Sequence, residues 1–325
     1  MLYTPSHKLN IISEENYPSA ICEISEELEK YRNEGFFTTS DNKQLYYEYY
    51  LANESRGSVV VVHGLSEFTK KFYEATYYFL NMGYNVFLYD QRGHGLSHRE
   101  TSRPELIYFD TFYRLAADLD EFIEGIVKPA SDKPLYIYSH SMGCSVAALY
   151  LSKNSHKIKK TIMTAPLIEP YVKQTAPWIA YNYAKMMTLF VNKRNKFTFT
   201  DEFNPNAQCK TDTAVSPNRF EYHMIQRRKN RNYQSTPMTF GCICELLSLR
   251  SKLLKKKVTK GITVPLLIMS SEKDTVVINK AQHLFAERCP NSEIITIKNA
   301  THAILAGNTE VLTEHLERTF DFYSC

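Results

Sequence analysis

The sequence predicts an α/β fold: a mostly parallel, doubly wound sheet with a helical segment inserted into it. Short runs rich in Val, Ile, Leu and Tyr alternate with longer stretches whose apolar residues recur every three or four positions. Parallel neighbouring strands need long connections, so this alternation favours strands joined by crossover helices. The alternation stops near residue 167 and resumes near residue 261, and a chain of 325 residues is long enough for one large α/β domain with an insertion.

The elements before the interruption begin with a hairpin. Gly35–Thr39 and Gln44–Tyr50 flank the turn residues Ser40–Asn42, which is typical of two antiparallel strands. Strands and helices then alternate. The predicted strands are Ser58–Val62, Asn85–Tyr89, Leu135–Tyr138 and Lys160–Thr164, and the predicted helices are Glu67–Asn81, Thr111–Val127 and Met142–Lys153.

The elements after the interruption continue the same sheet. We predict strands at Pro265–Met269 and Ser292–Ile297, with helices at Val276–Glu287 and Asn308–Phe322. We therefore expect a core made of residues 1–166 and 261–325, and a basic helical cap of residues 167–260 inserted after the sixth strand.

The charge of the chain is unevenly distributed. The net charge is +4, but the segment from Lys173 to Lys260 contains 17 Lys and Arg against five Asp and Glu, a net charge of +12, which leaves −8 for the rest. Such a cap would be drawn to an anionic membrane at about 1 kcal/mol per well-placed basic residue. The alternative is that Arg227–Lys229 and Lys255–Lys257 are ordinary solvated helix faces. No recognition motif supports a specific nucleic-acid partner.

Several protein classes are excluded. The 43% hydrophobic content is enough for a sizeable core, which argues against disorder. No apolar run approaches the ~18 residues of a spanning helix, and the first thirty residues show no secretory h-region. Seven scattered cysteines fit free thiols in a reducing cytoplasm. Cys242 and Cys244 have no second pair at ligand spacing, so we expect buried thiols, no metal and no cofactor.

The first candidate for chemistry is Ser141, which lies between a predicted strand and a predicted helix. A serine at such a sharp turn lifts its hydroxyl above the sheet, at a helix N-terminus. Small residues are needed on either side, where helix and strand approach closely. Ser139 stands where the usual pattern has Gly, so the alternative, a serine that only caps a helix, stays open on this motif alone.

A second motif, His63–Glu67, follows another strand and leaves backbone N–H groups free. The N–H of Leu65 would lie beside that of Met142, so the two could hold an oxyanion. On its own the motif could be an ordinary strand-to-helix turn.

Two more strands are followed by residues of the same chemistry. Asp274 comes after Leu266–Met269, and His302 comes after Ile294–Ile297. Neither residue alone would indicate a function. Together with Ser141, however, they give Ser, Asp and His after three separate strands, in the order reported for α/β-hydrolases. Ser141 would be the nucleophile and His302 the general base, with Asp274 orienting the imidazole.

On these residues the chain resembles the α/β-hydrolase superfamily over nearly its whole length. Within it, His63–Glu67, Asp90–Ser97 and Ser139–Gly143 are similar to the branch of bacterial lysophospholipases and monoacylglycerol lipases. Ser216–Phe220, with Thr236–Gly241 further on, resembles the insert of the bacterial inner-membrane lysophospholipases. The resemblance implies the α/β-hydrolase fold.

The Asp, Arg and His of Asp90–Ser97 could suggest a catalytic or metal role, but its two glycines make a turn, and Asp90 and Arg92 are suited to tie the loop to its neighbours by hydrogen bonds. We therefore predict a structural loop, and the resemblance agrees.

The function we expect is hydrolysis of lipid esters, with release of a fatty acid from a lysophospholipid through an acyl-enzyme. The alternatives are a monoacylglycerol lipase or a broad-specificity esterase. A peptidase would need acidic residues in the cap to hold the substrate ammonium. A non-catalytic binding protein on the same fold would be marked by a damaged triad, whereas all three residues are present here.

The cap should determine the substrate. Its Met and aromatic residues could line a channel for an acyl chain, although packing among the cap's own helices is the alternative for each of them. We expect a cytoplasmic enzyme, peripherally membrane-associated if the basic cap binds lipid, and its oligomeric state stays open. The residues expected to contact substrate are Trp178, Met186, Phe190, Phe220 and Phe240.

Overall fold

The computed structural model describes residues 1–173, 175–209 and 215–324. Lys210 and Asp212, two of the charges counted in the cap, lie outside the described residues. Eight strands form one sheet. They are β1 (Asn33–Thr38), β2 (Gln44–Tyr50), β3 (Gly57–Val62), β4 (Tyr84–Tyr89), β5 (Leu135–His140), β6 (Lys160–Thr164), β7 (Leu266–Ser271) and β8 (Ser292–Ile297).

The strand order is β1-β2-β4-β3-β5-β6-β7-β8. The β1–β2 and β2–β4 pairs are antiparallel, and every other pair is parallel. All residues of β3 and β5 are buried, as expected for central parallel strands covered on both faces. The predicted α/β class and the hairpin at the edge are therefore confirmed.

Helices cover both faces of the sheet. They are α1 (Tyr17–Tyr31), α2 (Tyr73–Asn81), α3 (Phe112–Phe122), α4 (Lys128–Ala130), α5 (Met142–Asn154), α6 (Pro177–Met187), α7 (Pro217–Lys229), α8 (Phe240–Leu247), α9 (Leu249–Leu253), α10 (Lys256–Thr259), α11 (Asn279–Arg288) and α12 (Thr309–Ser324). Two large apolar cores, one on each face of the sheet, hold these layers together.

Helix α1 is absent from the predicted elements. It buries Tyr17, Ile21, Ile24 and Leu28, whose spacing of four, three and four residues places them on one helical face. Pro18 starts the helix, where a missing N–H costs nothing. The periodicity needed to predict this helix is present in the sequence.

The insert, residues 167–260, contains α6 to α10 and connects β6 to β7. Helix α6 packs on α8, α7 packs on α1, and α9 and α10 pack against α5 of the sheet layer. That these residues form a domain of their own stays a prediction. Cys242 on α8 is buried as expected, whereas Cys244 is only partly buried. Within the described residues, no helix combines the length and apolar content that crossing a bilayer would require.

One buried ion pair ties the insert to the layer of α1 and α2. Arg219 on α7 is 3% exposed and Glu74 on α2 is 7% exposed, and their Nη2 and Oε1 atoms are 2.7 Å apart. Glu14 contributes a second carboxylate at 3.2 Å from Nη1. Because a buried charge without a partner is costly, this contact determines where α7 lies above the sheet.

Candidate active site

The turn at Ser141 connects β5 to α5 through an unusual backbone conformation. Ser141 has φ 50° and ψ −116°, a region that non-glycine residues rarely adopt. Its N–H donates to the Thr164 carbonyl oxygen at 3.0 Å, and its own carbonyl oxygen accepts from the N–H groups of Cys144 and Leu167. These bonds hold the serine at the carboxyl edge of the sheet.

The structure explains why Ser139 can stand where the usual pattern has Gly. Ser139 is fully buried, and its hydroxyl donates to the Ile162 carbonyl oxygen at 3.0 Å, so its polar atom is satisfied. At Gly143, in contrast, no side chain can be accommodated, because a Cβ there would lie 2.0 Å from the Val62 carbonyl oxygen. The close approach of helix and strand expected around Ser141 therefore occurs at Gly143.

Asp274 and His302 come together with Ser141 above the sheet. His302 Nδ1 lies 2.8 Å from Asp274 Oδ2, and His302 Nε2 lies 2.8 Å from Ser141 Oγ. Since an ionised carboxylate only accepts, Nδ1 carries the proton and Nε2 accepts from the serine hydroxyl. The three residues predicted from separate strands thus form one continuous hydrogen-bonded chain.

The surroundings of Asp274 favour its ionised form. Burial opposes ionisation, but the contact with His302 and the N–H groups of Val276 and Val277 outweigh it, so the pKa of Asp274 lies below its usual value. Those two N–H groups bind Oδ1 at 2.8 and 3.0 Å. Oδ2 is left to the imidazole, which fixes the ring's orientation.

The loop after β3 passes close to Ser141. A Cβ on Gly64 would lie 3.1 Å from the Ser141 Cβ, so Leu65 follows a residue in near contact with the serine. Met142 is the first residue of α5 and its side chain is buried. Among the described residues, neither the Leu65 nor the Met142 N–H has a hydrogen-bond acceptor. Both amides are therefore available to a ligand.

Glu67 organises this loop, a role that the sequence motif alone did not indicate. Its buried carboxylate accepts from the Gly64 N–H at 2.5 Å and pairs with Lys71 Nζ. Its Oε1 is also 3.5 Å from His140 Nε2. Burial raises the pKa of Glu67 and the charge of Lys71 lowers it. The lowering contributions are larger overall, so the pKa lies below its usual value. The only sequence feature that could have indicated this role is the four-residue spacing of Glu67 and Lys71, which is typical of an ion pair along a helical turn.

His140 lies beside the imidazole of His302. The ring centroids are 5.2 Å apart, and His140 Nδ1 is 3.1 Å from Thr164 Oγ1. Burial lowers the pKa of His140 to about 4, so this ring is neutral near pH 7. A neutral neighbour would not repel a positive charge on His302.

The loop Asp90–Ser97 is structural, as the sequence predicted. Asp90 accepts from the N–H groups of Thr69 and Leu96 at 2.8 and 2.7 Å. Arg92 is 2% exposed and binds Asp118 through two hydrogen bonds of 3.0 Å. These contacts leave the side chains of both charged residues occupied within the fold.

The five aromatic and Met residues predicted to contact substrate do not lie together. Trp178, Met186 and Phe190 are 67%, 50% and 77% exposed on the outer surface of α6 and the segment after it. Phe240 is buried with two other side chains between the helices of the insert. Phe220 lines a cavity whose wall also includes Ala303, the residue after His302. Their role in substrate contact stays a prediction.

A first cavity, lined by α7, has a volume of about 480 Å³; most of its wall is apolar, and it is here called the polar cavity only because of the cations in that wall. Three cations, Lys71, Arg219 and Arg227, contribute to its wall. The wall also includes Ala303, the residue after His302. The wall of this cavity is thus linked to His302 through the next residue of the chain.

A second cavity, here called the apolar cavity, lies between α6 and α8 and has a volume of about 790 Å³. Its wall includes Pro170 and Phe197. Pro170 forms a backbone bridge with Val277, whose N–H binds Asp274. The wall of this cavity is thus linked to Asp274 through the bridge between Pro170 and Val277.

Two relatives match most of the chain. A protein of Haemophilus influenzae described as probable lysophospholipase L2 is 28% identical over 271 residues, which cover 81% of this chain and 83% of that protein. The monoglyceride lipase of Saccharomyces cerevisiae is 26% identical over 272 residues, which cover 79% of this chain and 81% of that protein.

The fold and the family follow from two further comparisons. A solved structure, a soluble variant of monoglyceride lipase from Saccharomyces cerevisiae in complex with a substrate analog, matches with a TM-score of 0.72 and 20% identity. The match covers 90% of this chain and 94% of that chain and shows a shared α/β-hydrolase fold. The family model Hydrolase_4, described as serine aminopeptidase, S33, matches residues 53–309, so the chain belongs to this family of α/β-hydrolases.

Proposed function

We propose that this protein is a serine hydrolase of lipid esters, and specifically a lysophospholipase. The observation that carries the proposal is the chain of two 2.8 Å contacts from Asp274 through His302 to Ser141 Oγ. The relatives described as lysophospholipase L2 and monoglyceride lipase support the substrate class. The arrangement can perform acyl transfer to water without a further group.

In the proposed reaction, Ser141 Oγ attacks the ester carbonyl carbon as His302 Nε2 takes the hydroxyl proton. The carbonyl oxygen becomes an oxyanion, which the N–H groups of Leu65 and Met142 bind. The tetrahedral intermediate collapses, the ester C–O bond breaks, and His302 returns the proton to the leaving glycerol oxygen. Water, deprotonated by His302 Nε2, then attacks the acyl carbonyl carbon; the bond from that carbon to Ser141 Oγ breaks, His302 returns the proton to Oγ, and the fatty acid is released.

The apolar cavity supports an acyl-chain substrate. Its walls come from α6, α8 and the segments near Pro170 and Phe197, and they are predominantly apolar. Because apolar burial contributes about 0.8 kcal/mol per CH₂, a cavity of this kind favours long chains over short ones. The short acyl chains that a broad esterase hydrolyses would bury too few CH₂ groups in this cavity to gain much binding free energy.

The outer surface of α6 supports contact with a membrane. Leu189 and Phe190 are 81% and 77% exposed just after α6, and Trp178 is 67% exposed on it. Exposed Lys173 and Lys185 accompany these residues. An apolar patch with basic neighbours matches an anionic bilayer surface, which would bring the insert to its lipid substrate.

An aminopeptidase activity receives less support, despite the description of the family. Binding a substrate ammonium requires a free carboxylate facing the site. In the polar cavity, the described acid of the wall is Glu74, and it is already paired with Arg219 at 2.7 Å. The described wall of the apolar cavity contains no carboxylate. Neither cavity therefore offers an anion to a substrate ammonium.

The test is a hydrolysis panel of lysophosphatidylcholine, a monoacylglycerol and a short nitrophenyl ester, with Ser141→Ala as the variant. We expect the variant to lose about 10⁶ in kcat and all labelling by a fluorophosphonate probe while it stays folded. Ser152→Ala, on the same helix, is the control and should keep wild-type turnover. Wild-type turnover in Ser141→Ala would refute the assignment, and hydrolysis of the nitrophenyl ester alone would refute the lipid substrate.

A further inference from the structure

The polar cavity contains a cation without a described acidic partner. Arg227, on the last turn of α7, donates from Nε to the Tyr233 carbonyl oxygen and from Nη2 to the Ser235 carbonyl oxygen and Thr236 Oγ1. All three acceptors are neutral. In residues 1–173, 175–209 and 215–324 no carboxylate lies within ion-pair distance of its guanidinium. Burial lowers the pKa of Arg227 to about 10, so it stays charged near neutral pH.

This environment contrasts with the other two cations of the cavity wall. Lys71 pairs with Glu67, and Arg219 pairs with Glu74 and Glu14. Since a partly buried guanidinium loses hydration, the missing counter-charge of Arg227 is a cost that a bound anion would remove.

The guanidinium of Arg227 is held in place with donors to spare. It lies over the ring of Phe203, with its central carbon 4.4 Å from the ring centroid. Its Nη1 atom makes no hydrogen bond to a described residue. Two N–H donors are therefore available to a ligand.

His223, one turn before Arg227 on α7, presents a second unused polar group. Its Nδ1 is shielded from solvent and has no hydrogen-bond partner among the described residues. The ring is held in place by stacking on Phe68, with centroids 5.3 Å apart, and Phe68 in turn stacks on Tyr233 at 4.1 Å. Because Nδ1 is enclosed, only Nε2 can face a ligand; with its proton on Nε2, this rigid imidazole and the neighbouring guanidinium, which both line the cavity, form a preorganised pair of donors.

The position of these groups relates them to the reaction. The same cavity includes Ala303, which follows His302, and Lys71, which binds the Glu67 carboxylate that holds the oxyanion loop. These two residues make this cavity the candidate for the alcohol portion of a substrate whose ester carbonyl lies at Ser141. The apolar cavity, whose wall shares no residue with the polar cavity, is left for the acyl chain.

We propose that Arg227 and His223 form a binding site for the phosphodiester of the substrate's head group. The inference rests on the proposed lysophospholipase activity and assigns residues that would select a lysophospholipid over a neutral monoacylglycerol. A phosphodiester carries one negative charge and accepts the planar donors of a guanidinium. The single described cation without a counter-charge in the cavity matches that charge, whereas the glycerol of a monoacylglycerol would leave it uncompensated.

The kinetic test compares two substrates with the same acyl chain, lysophosphatidylglycerol and monoacylglycerol, in neutral detergent micelles. Arg227→Gln should lower kcat/KM for the lysophospholipid by about 10- to 100-fold, the range for a charge-assisted hydrogen bond, and change that for monoacylglycerol less than about threefold. Arg228→Gln removes a neighbouring charge that pairs with Glu221, and should affect neither. Equal losses on both substrates, or no loss on either, would overturn the proposal.

Arg227 also donates to residues of the 233–236 segment, so Arg227→Gln could disturb the local structure. Two further measurements decide the head-group proposal in that case. His223→Phe retains the stack on Phe68 but removes both nitrogens, and it should lower kcat/KM several-fold for the lysophospholipid alone. In the Ser141→Ala protein, glycerophosphoglycerol should raise Tm where glycerol does not, and Arg227→Gln should abolish that shift. If the wild-type enzyme hydrolyses neither lipid, the proposed function fails, while this binding measurement still decides the head-group site.

Discussion

Gly143 packs directly against the carbonyl oxygen of Val62, leaving no space for a side chain between the start of α5 and the end of β3. A Cβ on this glycine would lie 2.0 Å from that oxygen and 2.6 Å from the carbonyl oxygen of His63. Because both obstacles are backbone atoms, they cannot rotate away. The contact therefore sets the separation between the Ser141 turn and the Leu65 loop.

Gly143→Ala should destabilise the protein and impair hydrolysis. Overpacking of this kind costs about 1–3 kcal/mol, and the displaced helix would carry Ser141 and Met142 with it. Calorimetry and kcat measure the two effects. Gly125→Ala is the matched control, since a Cβ there meets nothing within 4 Å and its Tm should hold or rise. A Gly143→Ala protein with wild-type Tm and kcat would contradict this account of the turn.

Asp274→Asn should reduce kcat by about 10⁴ with little loss of stability. The amide can still accept the N–H groups of Val276 and Val277 at its oxygen, but its NH₂ would face His302 Nδ1. That nitrogen would then have to accept, so Nε2 would carry the proton and could no longer act as a base toward Ser141. The measurements are kcat and Tm, because a normal Tm separates the wrong tautomer from misfolding.

Glu272→Gln is the control for this prediction. Glu272 is exposed, and its carboxylate accepts from the Asn299 N–H at 2.8 Å. Its removal should leave kcat near the wild-type value. An Asp274→Asn protein with wild-type kcat would show that the carboxylate does not orient His302.

Glu48→Gln should stabilise the protein at high pH. Glu48 is fully buried in β2, and burial, reinforced by the charge of Asp90, raises its pKa to about 8 from an ordinary value of 4.5. The folded protein therefore holds this proton more tightly than the unfolded chain does. Stability is lost as the pH rises through the window between about 4.5 and 8.

The measurement is Tm against pH for both proteins. The glutamine cannot ionise, so the Tm advantage of Glu48→Gln should grow from about pH 5 to about pH 9. Glu293→Gln, at an exposed position of β8, controls for the loss of a strand carboxylate and should show no such trend. A Tm difference that is constant with pH would refute the buried-acid explanation.

Arg219→Leu should loosen the insert. It leaves Glu74 buried without its cation, and breaking a buried pair from one side costs about 3–5 kcal/mol. We expect a lower Tm and faster proteolysis within residues 167–260. The double variant Arg219→Leu/Glu74→Leu should recover part of the loss, because no unpaired charge remains on either of these helices at that contact.

The exposed pair of Arg228 and Glu221 on the same helix provides the comparison. Arg228→Leu should change stability by less than about 0.5 kcal/mol, since exposed ion pairs contribute little. Equal effects of Arg219→Leu and Arg228→Leu would contradict the role assigned to the buried pair.

Much of the core could be predicted because its signals are local. The strands before Ser141, Asp274 and His302 are short apolar runs that end in polar residues, and the structure places each strand within a few residues of its predicted bounds. Helix α1 has an equally local signal in its buried face. It is absent from the predicted elements although its spacing is helical.

The insert was harder to predict, because α6 has apolar residues on its exposed side as well as on its buried side. Trp178 and Phe190 are large aromatic residues of the kind that can line a substrate channel, yet both lie on the outer surface. Phe240 has the same character and is buried within the insert. Sequence periodicity identifies an apolar face but not the surface that this face meets.

The sequence by itself determined the α/β class, the insertion after β6 and the three residues that follow separate strands, since each depends on neighbours along the chain. Only the tertiary structure decided that Glu67 holds the Leu65 loop, that α7 is tied down through Arg219, and that Arg227 faces a cavity without a described counter-charge. Most of these contacts join residues far apart in sequence. Their energies depend on burial and distance, which exist only once the chain has packed.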